Sequence, residues 1–149
     1  RLCTDIIELP SLKDRIAELA DDLSLTPLLD RASGQLSASQ KTRLTLAKAL
    51  INRPEILLLD EPTASLDPDT GDYVRRYLSD YLANTGATML LASHNMPEVE
   101  RLCDQVIMLR DGKIYDAGPP AELISRYGRQ NLEEVFLDIA RSGRGEAGP

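Results

Sequence analysis

The sequence predicts an α/β fold in which a largely parallel sheet is flanked by helices. Two short apolar runs, ILLL at 56–59 and MLLA at 89–92, indicate strands buried on both faces, because such strands show no alternation of apolar and polar residues. Helical patterns precede, separate and follow these runs, and strands that alternate with helices are typical of parallel sheets. With 149 residues, 42% of them hydrophobic, the chain is long enough for a substantial core.

The segment before residue 36 is predicted to be a helix followed by a loop. Over 12–23, apolar side chains recur at three- and four-residue intervals, as in an amphipathic helix. Its inward positions are Leu12, Ile16, Leu19, Ala20 and Leu23. A short second piece is predicted over 26–30, and a polar loop over 31–35.

The stretch LSASQ at 36–40 opens the next helix. Ser37 and Gln40 have the spacing of a capping box, in which the serine oxygen accepts from a backbone N–H and the glutamine reaches back. This helix should stop near Asn52, because the residue before Pro54 tends to leave helical space. A helix start also gathers unpaired N–H groups, so the stretch is a candidate anion site as well as a cap.

The first strand ends in Asp60-Glu61-Pro62, and a helix follows it. Asp67 suits the cap of this helix, Pro68 its first position and Gly86 the position just past its end. One stripe is predicted to face the core without a cofactor role. Its members are Tyr73, Val74, Tyr77, Leu78, Tyr81 and Leu82.

The second half of the sequence is predicted to form shorter helices and strands. A strand over 88–92 leads into Ser93-His94-Asn95 and a helix over 96–103, with Asn95 and Glu98 as cap partners. Asp111-Gly112 between two apolar runs predicts a hairpin. Helices are expected near 120–127 and 132–141, and the glycine-rich tail 142–149 is expected to be unstructured.

Composition excludes several classes of function. The net charge of −7 and the pI near 4.7 argue against a general surface for nucleic acid or anionic lipid. The longest apolar runs are far shorter than the roughly 20 residues that span a bilayer. Cys3 and Cys103 stand far apart, and the chain has one histidine, so no metal-binding spacing is present and a reduced intracellular setting is expected.

Reactive side chains follow both predicted parallel strands. Asp60 and Glu61 end the first strand, and His94 follows the second. Ligands of α/β folds collect at the carboxyl ends of strands. Successive strand residues point to opposite sides, so Asp60 suits a hydrated Mg²⁺ while Glu61 suits the polarisation of a water. Each feature alone also fits a plain polar strand end or a loop histidine.

The order LSASQ, LLLDEP and SH resembles the ATP-binding-cassette (ABC) ATPases over residues 33 to about 118. LSASQKTRLTLAKALINRPEILLLDEPTASLDP is similar to their signature motif, Walker B strand and D-loop. SHNMPEVERLCDQVIMLRDGKIYDAG resembles the switch histidine and the segment after it, and NLEEVFLDIAR resembles the tail of exporters with separate membrane subunits. The resemblance implies a partial P-loop NTPase fold plus part of the helical signature subdomain.

The resemblance also implies a domain division and an enzyme activity. Residues 1–53 would be part of the helical subdomain, residues 54–141 the carboxyl-terminal part of the ATPase core, and residues 142–149 a disordered tail. In the intact protein, ATP and Mg²⁺ would be the cofactors. A second cassette and a membrane permease would be the partners, without nucleic acid, and the subunit would lie in the cytoplasm at the inner face of the membrane.

The roles implied for single residues come from this resemblance alone. Asp60 would order the Mg²⁺, Glu61 would be the general base, and His94 would contact the γ-phosphate. Asp67 would cross to the partner cassette. The signature residues Ser37, Ala38, Ser39 and Gln40 would face the nucleotide bound to that partner.

Two departures from the family pattern shape the expectation. Ala38 and Ser39 stand where the signature usually has glycines, and each added Cβ could obstruct the approach of backbone to phosphate. The sequence contains no G-x-x-x-x-G-K-[ST] loop; its single Gly-Lys pair, Gly112-Lys113, lacks the other positions. The glutamine loop and an initial methionine are also missing. The chain is therefore expected to be the second half of a cassette, unable by itself to bind ATP tightly or hydrolyse it.

Two alternatives remain open from the sequence. The chain could be a degenerate or split cassette that acts as a binding module and offers only its signature face to a complete partner. It could also be a non-transport cassette acting on ribosomes or chromosomes, although DEPTASLD at 60–67 differs from the DEPTNHLD of the ribosomal type, and no long heptad segment precedes Leu36.

Overall fold

The computed structural model describes residues 9–141, with side chains from residue 12 onward. The chain divides after Ala92 into two compact units, called here the amino-terminal and carboxyl-terminal units. The predictions made for Cys3 and for the tail at 142–149 lie outside the described residues. No helix in the described part combines the length and apolar character needed to cross a membrane.

The described part of the amino-terminal unit contains three α-helices and a parallel pair of strands. Its elements are α1 (Leu9–Asp22), α2 (Ala38–Leu50), β1 (Ile56–Asp60), α3 (Pro68–Thr85) and β2 (Thr88–Ala92). Short 3₁₀ turns at Thr26–Leu28 and Ser33–Gln35 join α1 to α2. β1 and β2 pair in parallel with Asp60 opposite Ala92, which confirms the predicted parallel arrangement.

Local signals set the helix boundaries in this unit. Ser37 caps α2 in a complete capping box with Gln40, as its spacing predicts. Asp67 caps α3 by accepting from the backbone N–H of Thr70 at 3.0 Å. Gly86 follows α3 with a φ of 68°, a left-handed conformation that glycine adopts without steric cost.

The most deeply buried side chains described in the amino-terminal unit lie on or next to α1, α2 and α3. Leu19, Leu23 and Leu50 are 2% exposed or less, as are Val74 and Leu78 of the predicted stripe on α3. Two inward positions were wrong. Tyr73 of the α3 stripe is 41% exposed, and its hydroxyl donates to the carbonyl of Asp22. Ile16 is 41% exposed, at an apolar groove of about 200 Å³, while Arg15 is buried beside it because its guanidinium donates to the carbonyl of Leu50 at 3.1 Å.

The two-sided burial predicted for the parallel strands was also wrong. Leu57 is 3% exposed, but its neighbours Ile56 and Leu58 are 66% and 69% exposed, and Leu90 on β2 is 64% exposed. Successive strand residues point to opposite faces, so one face of the pair is packed and the other is open in the described part of the chain. The unbroken apolar run at 56–59 therefore gives β1 two apolar faces, of which only one is packed by described residues.

The carboxyl-terminal unit packs three helices against an antiparallel hairpin. Its elements are α4 (Met96–Leu102), β3 (Val106–Arg110), β4 (Lys113–Gly118), α5 (Pro120–Tyr127) and α6 (Leu132–Arg141). Asp111 and Gly112 connect β3 to β4 with φ angles of 50° and 72°, the conformation of a two-residue hairpin turn. The predicted hairpin and the last two predicted helices are therefore confirmed.

The core of this unit is a single apolar cluster. Leu123, Leu132 and Val135 are fully buried. Met108 and Ile139 are 6% and 4% exposed. The opposite face of the hairpin is apolar and open, with Ile107, Leu109 and Ile114 between 57% and 68% exposed. Both units together form an α/β fold, as predicted, with one parallel strand pair and one antiparallel pair among the described residues.

Candidate functional site

Asp60 is the last residue of β1 and its carboxylate is exposed. Its register partner on β2 is Ala92. One exposed carboxylate fits Mg²⁺, which keeps several of its waters and uses one or two protein carboxylates together with substrate phosphates. No group of three or more side chains that could hold a metal ion occurs among the described residues.

Glu61 follows Asp60 in a left-handed conformation, with a φ of 49°. Its backbone N–H donates to the carbonyl of Ala92 at 2.9 Å, which continues the strand pairing one residue past β1. Left-handed backbone costs a non-glycine residue about 1–2 kcal/mol. The alternation of side chains along a strand therefore does not set the direction of the Glu61 side chain. Glu61 already belongs to the turn that follows β1.

The segment between Glu61 and α3 is a tight connection. The carbonyl of Glu61 accepts from Ala64 at 3.3 Å, and the carbonyl of Thr63 accepts from Leu66 at 3.0 Å. Asp67 then begins the α3 cap, and the hydrogen bond from the Thr70 N–H lowers the pKa of its carboxyl. In this chain the carboxylate of Asp67 is thus a helix cap, and its expected role towards a partner cassette stays a prediction.

The LSASQ stretch lies at the start of α2. The Ser37 oxygen accepts from the Gln40 N–H at 3.2 Å, and the Gln40 side-chain oxygen accepts from the Ser37 N–H at 2.9 Å. Ala38 is exposed at the first helical position and Ser39 is half-buried. The cap interpretation is confirmed, while a contact of this stretch with phosphate stays a prediction.

A contact that the sequence did not indicate joins α2 to the connection after β1. The hydroxyls of Thr42 and Ser65 are 2.5 Å apart. Thr42 lies one helical turn after Ala38, so it lies on the same face of α2 as the start of the signature stretch. The helical period predicts that Thr42 and Ala38 share a face of α2. It does not predict that Thr42 contacts Ser65, which lies 23 positions later.

His94 lies in the carboxyl-terminal unit, two residues after β2, and its side chain is exposed. Both of its neighbours are held by hydrogen bonds. The Ser93 hydroxyl donates to the carboxylate of Glu98 at 2.7 Å, and the Asn95 N–H donates to the Ser93 oxygen at 3.1 Å. The predicted cap is present, since the Asn95 side chain accepts from the Glu98 N–H at 3.3 Å.

Comparison with known proteins decides the family. Residues 4–64 match the family model described as ABC transporter. The chain is 42% identical over 131 residues to ABC transporter G family member 20 of Dictyostelium discoideum, covering 88% of the chain and 17% of that protein. It is 37% identical over 145 residues to the methionine import ATP-binding protein of Streptomyces griseus, covering 91% of the chain and 40% of that protein.

The chain belongs to the ABC transporter ATPase family. It spans less than half the length of both of these curated relatives. The stretch matched by the family model includes LSASQ and the Asp60-Glu61 pair and ends before Asp67 and His94.

Solved ABC structures support the same fold. An ATP-binding subunit of an ABC transporter superposes with a TM-score of 0.80 at 22% identity, covering 90% of this chain and 56% of that one. A dimeric ATP-binding cassette in a post-hydrolysis state with ADP and Pi superposes with a TM-score of 0.70 at 26% identity, covering 76% of this chain and 49% of that one. The P-loop NTPase fold expected for this ABC ATPase chain is therefore confirmed.

Proposed function

We propose that this chain is the carboxyl-terminal part of the ATPase subunit of an ABC transporter, and that the whole protein hydrolyses MgATP between two cassettes to drive a membrane permease. The observation that carries the proposal is the end of β1. There, in a chain of this family, an exposed Asp60 is followed by Glu61, whose backbone is bonded to the end of the neighbouring parallel strand. A dimeric structural relative and a relative named as an import ATP-binding protein support the two partners.

The proposal gives a separate task to each of the predicted site residues. Asp60 would hold Mg²⁺, which would supply positive charge against the phosphates. Glu61 orients the attacking water and accepts its proton. His94, on the segment after β2, donates to the terminal phosphate. The start of α2 offers backbone N–H groups and a helix dipole to the nucleotide of the partner cassette.

The test replaces the proposed base in the full-length gene product that contains this sequence. General-base assistance contributes typically 10²–10⁴-fold, so Glu61→Gln should lower phosphate release by about that factor while nucleotide affinity is kept. Glu55→Gln is the matched control, because Glu55 is an exposed glutamate just before β1. Hydrolysis at the unchanged rate in Glu61→Gln would remove Glu61 from the role.

A second measurement concerns residues 1–149 alone. The sequence contains no G-x-x-x-x-G-K-[ST] loop to cradle the phosphates, so we expect calorimetry to detect no micromolar affinity for MgATP and no hydrolysis. Micromolar binding would contradict this part of the proposal.

The absence of this loop from the sequence also favours a second candidate, a split cassette that offers its signature face to a complete partner. The coding sequence upstream of Arg1 separates the two. An in-frame phosphate-binding loop supports the ATPase subunit, whereas a start codon at this point supports the binding module. In both cases we place the protein in the cytoplasm, at the inner face of the membrane.

A further inference from the structure

A buried carboxylate lies behind the segment that carries His94. Glu98, in the first turn of α4, is 1% exposed, although glutamate is among the residues least often fully buried. Its carboxylate accepts from the Ser93 hydroxyl at 2.7 Å, and its backbone N–H donates to the Asn95 side chain at 3.3 Å. One residue therefore bonds to both neighbours of His94.

The Ser93 hydroxyl is the central group of this arrangement. A hydroxyl has one hydrogen to donate and lone pairs to accept with. Since the hydrogen is directed to the Glu98 carboxylate, a lone pair is free for the Asn95 N–H, which donates at 3.1 Å. The bond between Ser93 and Asn95 spans His94 and closes the backbone around it into a turn.

Burial of a carboxylate costs free energy that an apolar side chain of similar volume would not, unless hydrogen bonds compensate it. α4 already contributes Met96 and Val99 to the apolar cluster of its unit. Packing alone therefore does not account for a glutamate at position 98, and its hydrogen bond with Ser93 is a polar contact that an apolar side chain would not make.

We propose that Glu98 is a positioning residue for His94, acting through the Ser93 hydroxyl. The buried carboxylate directs the hydroxyl, the hydroxyl holds the Asn95 N–H, and the fixed backbone limits the directions open to the exposed imidazole. The purpose of this fixed orientation, which is to direct the imidazole towards a phosphate, rests on the proposed function. The fixed orientation of the His94 ring is independent of that function and is measurable in the 149-residue chain.

The chain has one histidine, so ¹H–¹⁵N spectra of its imidazole report His94 alone. We expect Ser93→Ala and Glu98→Ala to change the tautomer ratio of the ring and to broaden its signals. Glu98→Gln, which keeps an oxygen for the Ser93 hydroxyl, should restore the wild-type spectrum. Glu133→Gln is the matched control, because Glu133 is an exposed glutamate in the first turn of α6.

The alternative is that Glu98 only stabilises its unit. In that case Glu98→Ala lowers the melting temperature, but the imidazole spectrum of the folded protein is unchanged in both Glu98→Ala and Ser93→Ala, which overturns the proposal. Ser93→Ala removes one oxygen atom, so it keeps the test available if Glu98→Ala fails to fold.

Hydrolysis by the full-length gene product separates this proposal from the proposed function. Because misplacement by about 1 Å can cost about 100-fold, Ser93→Ala should lower kcat by up to about that factor with KM unchanged. A changed imidazole spectrum with unchanged kcat supports the positioning by Glu98 and shows that the role given to His94 in hydrolysis is wrong.

Discussion

Glu61 combines a strained backbone with the proposed role of general base. Its φ of 49° is a conformation that glycine adopts freely and other residues adopt at a cost. Strain of this kind persists where the surrounding structure enforces it, here through the hydrogen bond to Ala92. A residue under selection only for stability would be expected to be glycine or asparagine at this position.

Glu61→Gly is therefore expected to raise the free energy of unfolding by up to about 1 kcal/mol while it removes the proposed base. Urea unfolding of the wild-type and variant chains measures the difference. Glu122→Gly serves as control and should be destabilising by about 1 kcal/mol, because Glu122 lies in the first turn of α5 with ordinary helical backbone. A free energy of unfolding that is lower for Glu61→Gly than for the wild type would contradict this expectation.

Tyr77 makes the stability of the chain sensitive to alkaline pH. Burial first, and then the Asp22 carboxylate beside it, raises the pKa of Tyr77 to about 12 from an ordinary 10.0. The folded protein thus binds this proton more tightly than the unfolded chain, so the stabilisation is complete below pH 10 and is lost as pH rises from about 10 to about 12.

We expect Tyr77→Phe to flatten this loss. The measurement is the urea midpoint at intervals between pH 9 and pH 12 for the wild type and Tyr77→Phe. Tyr115→Phe is the control, since Tyr115 is 48% exposed on β4. Parallel curves for the wild type and Tyr77→Phe would contradict the assignment.

At the scale of elements, Ser37 at the start of α2 has two possible roles. As a helix cap, Ser37 stabilises through its bond with the Gln40 N–H. As part of a signature motif, it would also contact a phosphate of the partner cassette. Alanine removes both functions, but glycine is itself an acceptable cap residue.

Ser37→Ala and Ser37→Gly therefore separate the two interpretations. Alanine should lower the free energy of unfolding by about 1 kcal/mol and glycine by only a few tenths. If Ser37 contacts phosphate, both variants of the full-length gene product lose hydrolysis to a similar degree. If hydrolysis follows stability and Ser37→Gly is nearly normal, Ser37 is a cap alone.

The bond between Thr42 and Ser65 connects two elements proposed to face the partner cassette. A double-mutant cycle with Thr42→Val and Ser65→Ala measures how strongly they are coupled. We expect a coupling of about 0.5–1.5 kcal/mol in unfolding free energy, the usual net value of a hydrogen bond. Strictly additive effects would show that this contact does not stabilise the connection between β1 and α3.

At the scale of the whole molecule, each unit of the 149-residue chain exposes an apolar sheet face. Ile56, Leu58 and Leu90 form it in the amino-terminal unit, and Ile107 and Leu109 belong to the hairpin face of the carboxyl-terminal unit. Exposed apolar faces favour association, as do strand edges that no described residue pairs.

Residues 1–149 are accordingly expected to associate as their concentration rises, which sedimentation velocity measures. Leu58→Lys and Leu109→Lys should reduce the association without unfolding the chain, because both side chains are more than 65% exposed. Leu57→Lys is the contrasting variant and should unfold its unit, since Leu57 is 3% exposed. A reversible, concentration-independent melt of a monomer would contradict the expectation.

Much of the fold was predictable because its signals are local. The Ser37 and Asp67 caps and the Asp111-Gly112 turn follow from spacing and composition over a few residues. The parallel arrangement of β1 and β2 follows from the alternation of apolar runs with helices along the chain. Burial was less predictable. The apolar pattern of α1 suggested that Ile16 was inside, yet Arg15 is buried instead, because a carbonyl 35 residues away accepts from its guanidinium.

The sequence by itself determined the family, the order of the elements, their caps and the residue types at the ends of the two parallel strands. Only the tertiary structure decided the left-handed turn of Glu61, the pairing of Thr42 with Ser65, and the burial of Glu98 behind Ser93. The physical reason is range. Caps and turns depend on neighbours within about four residues, whereas backbone strain and buried charge depend on groups that only folding brings together.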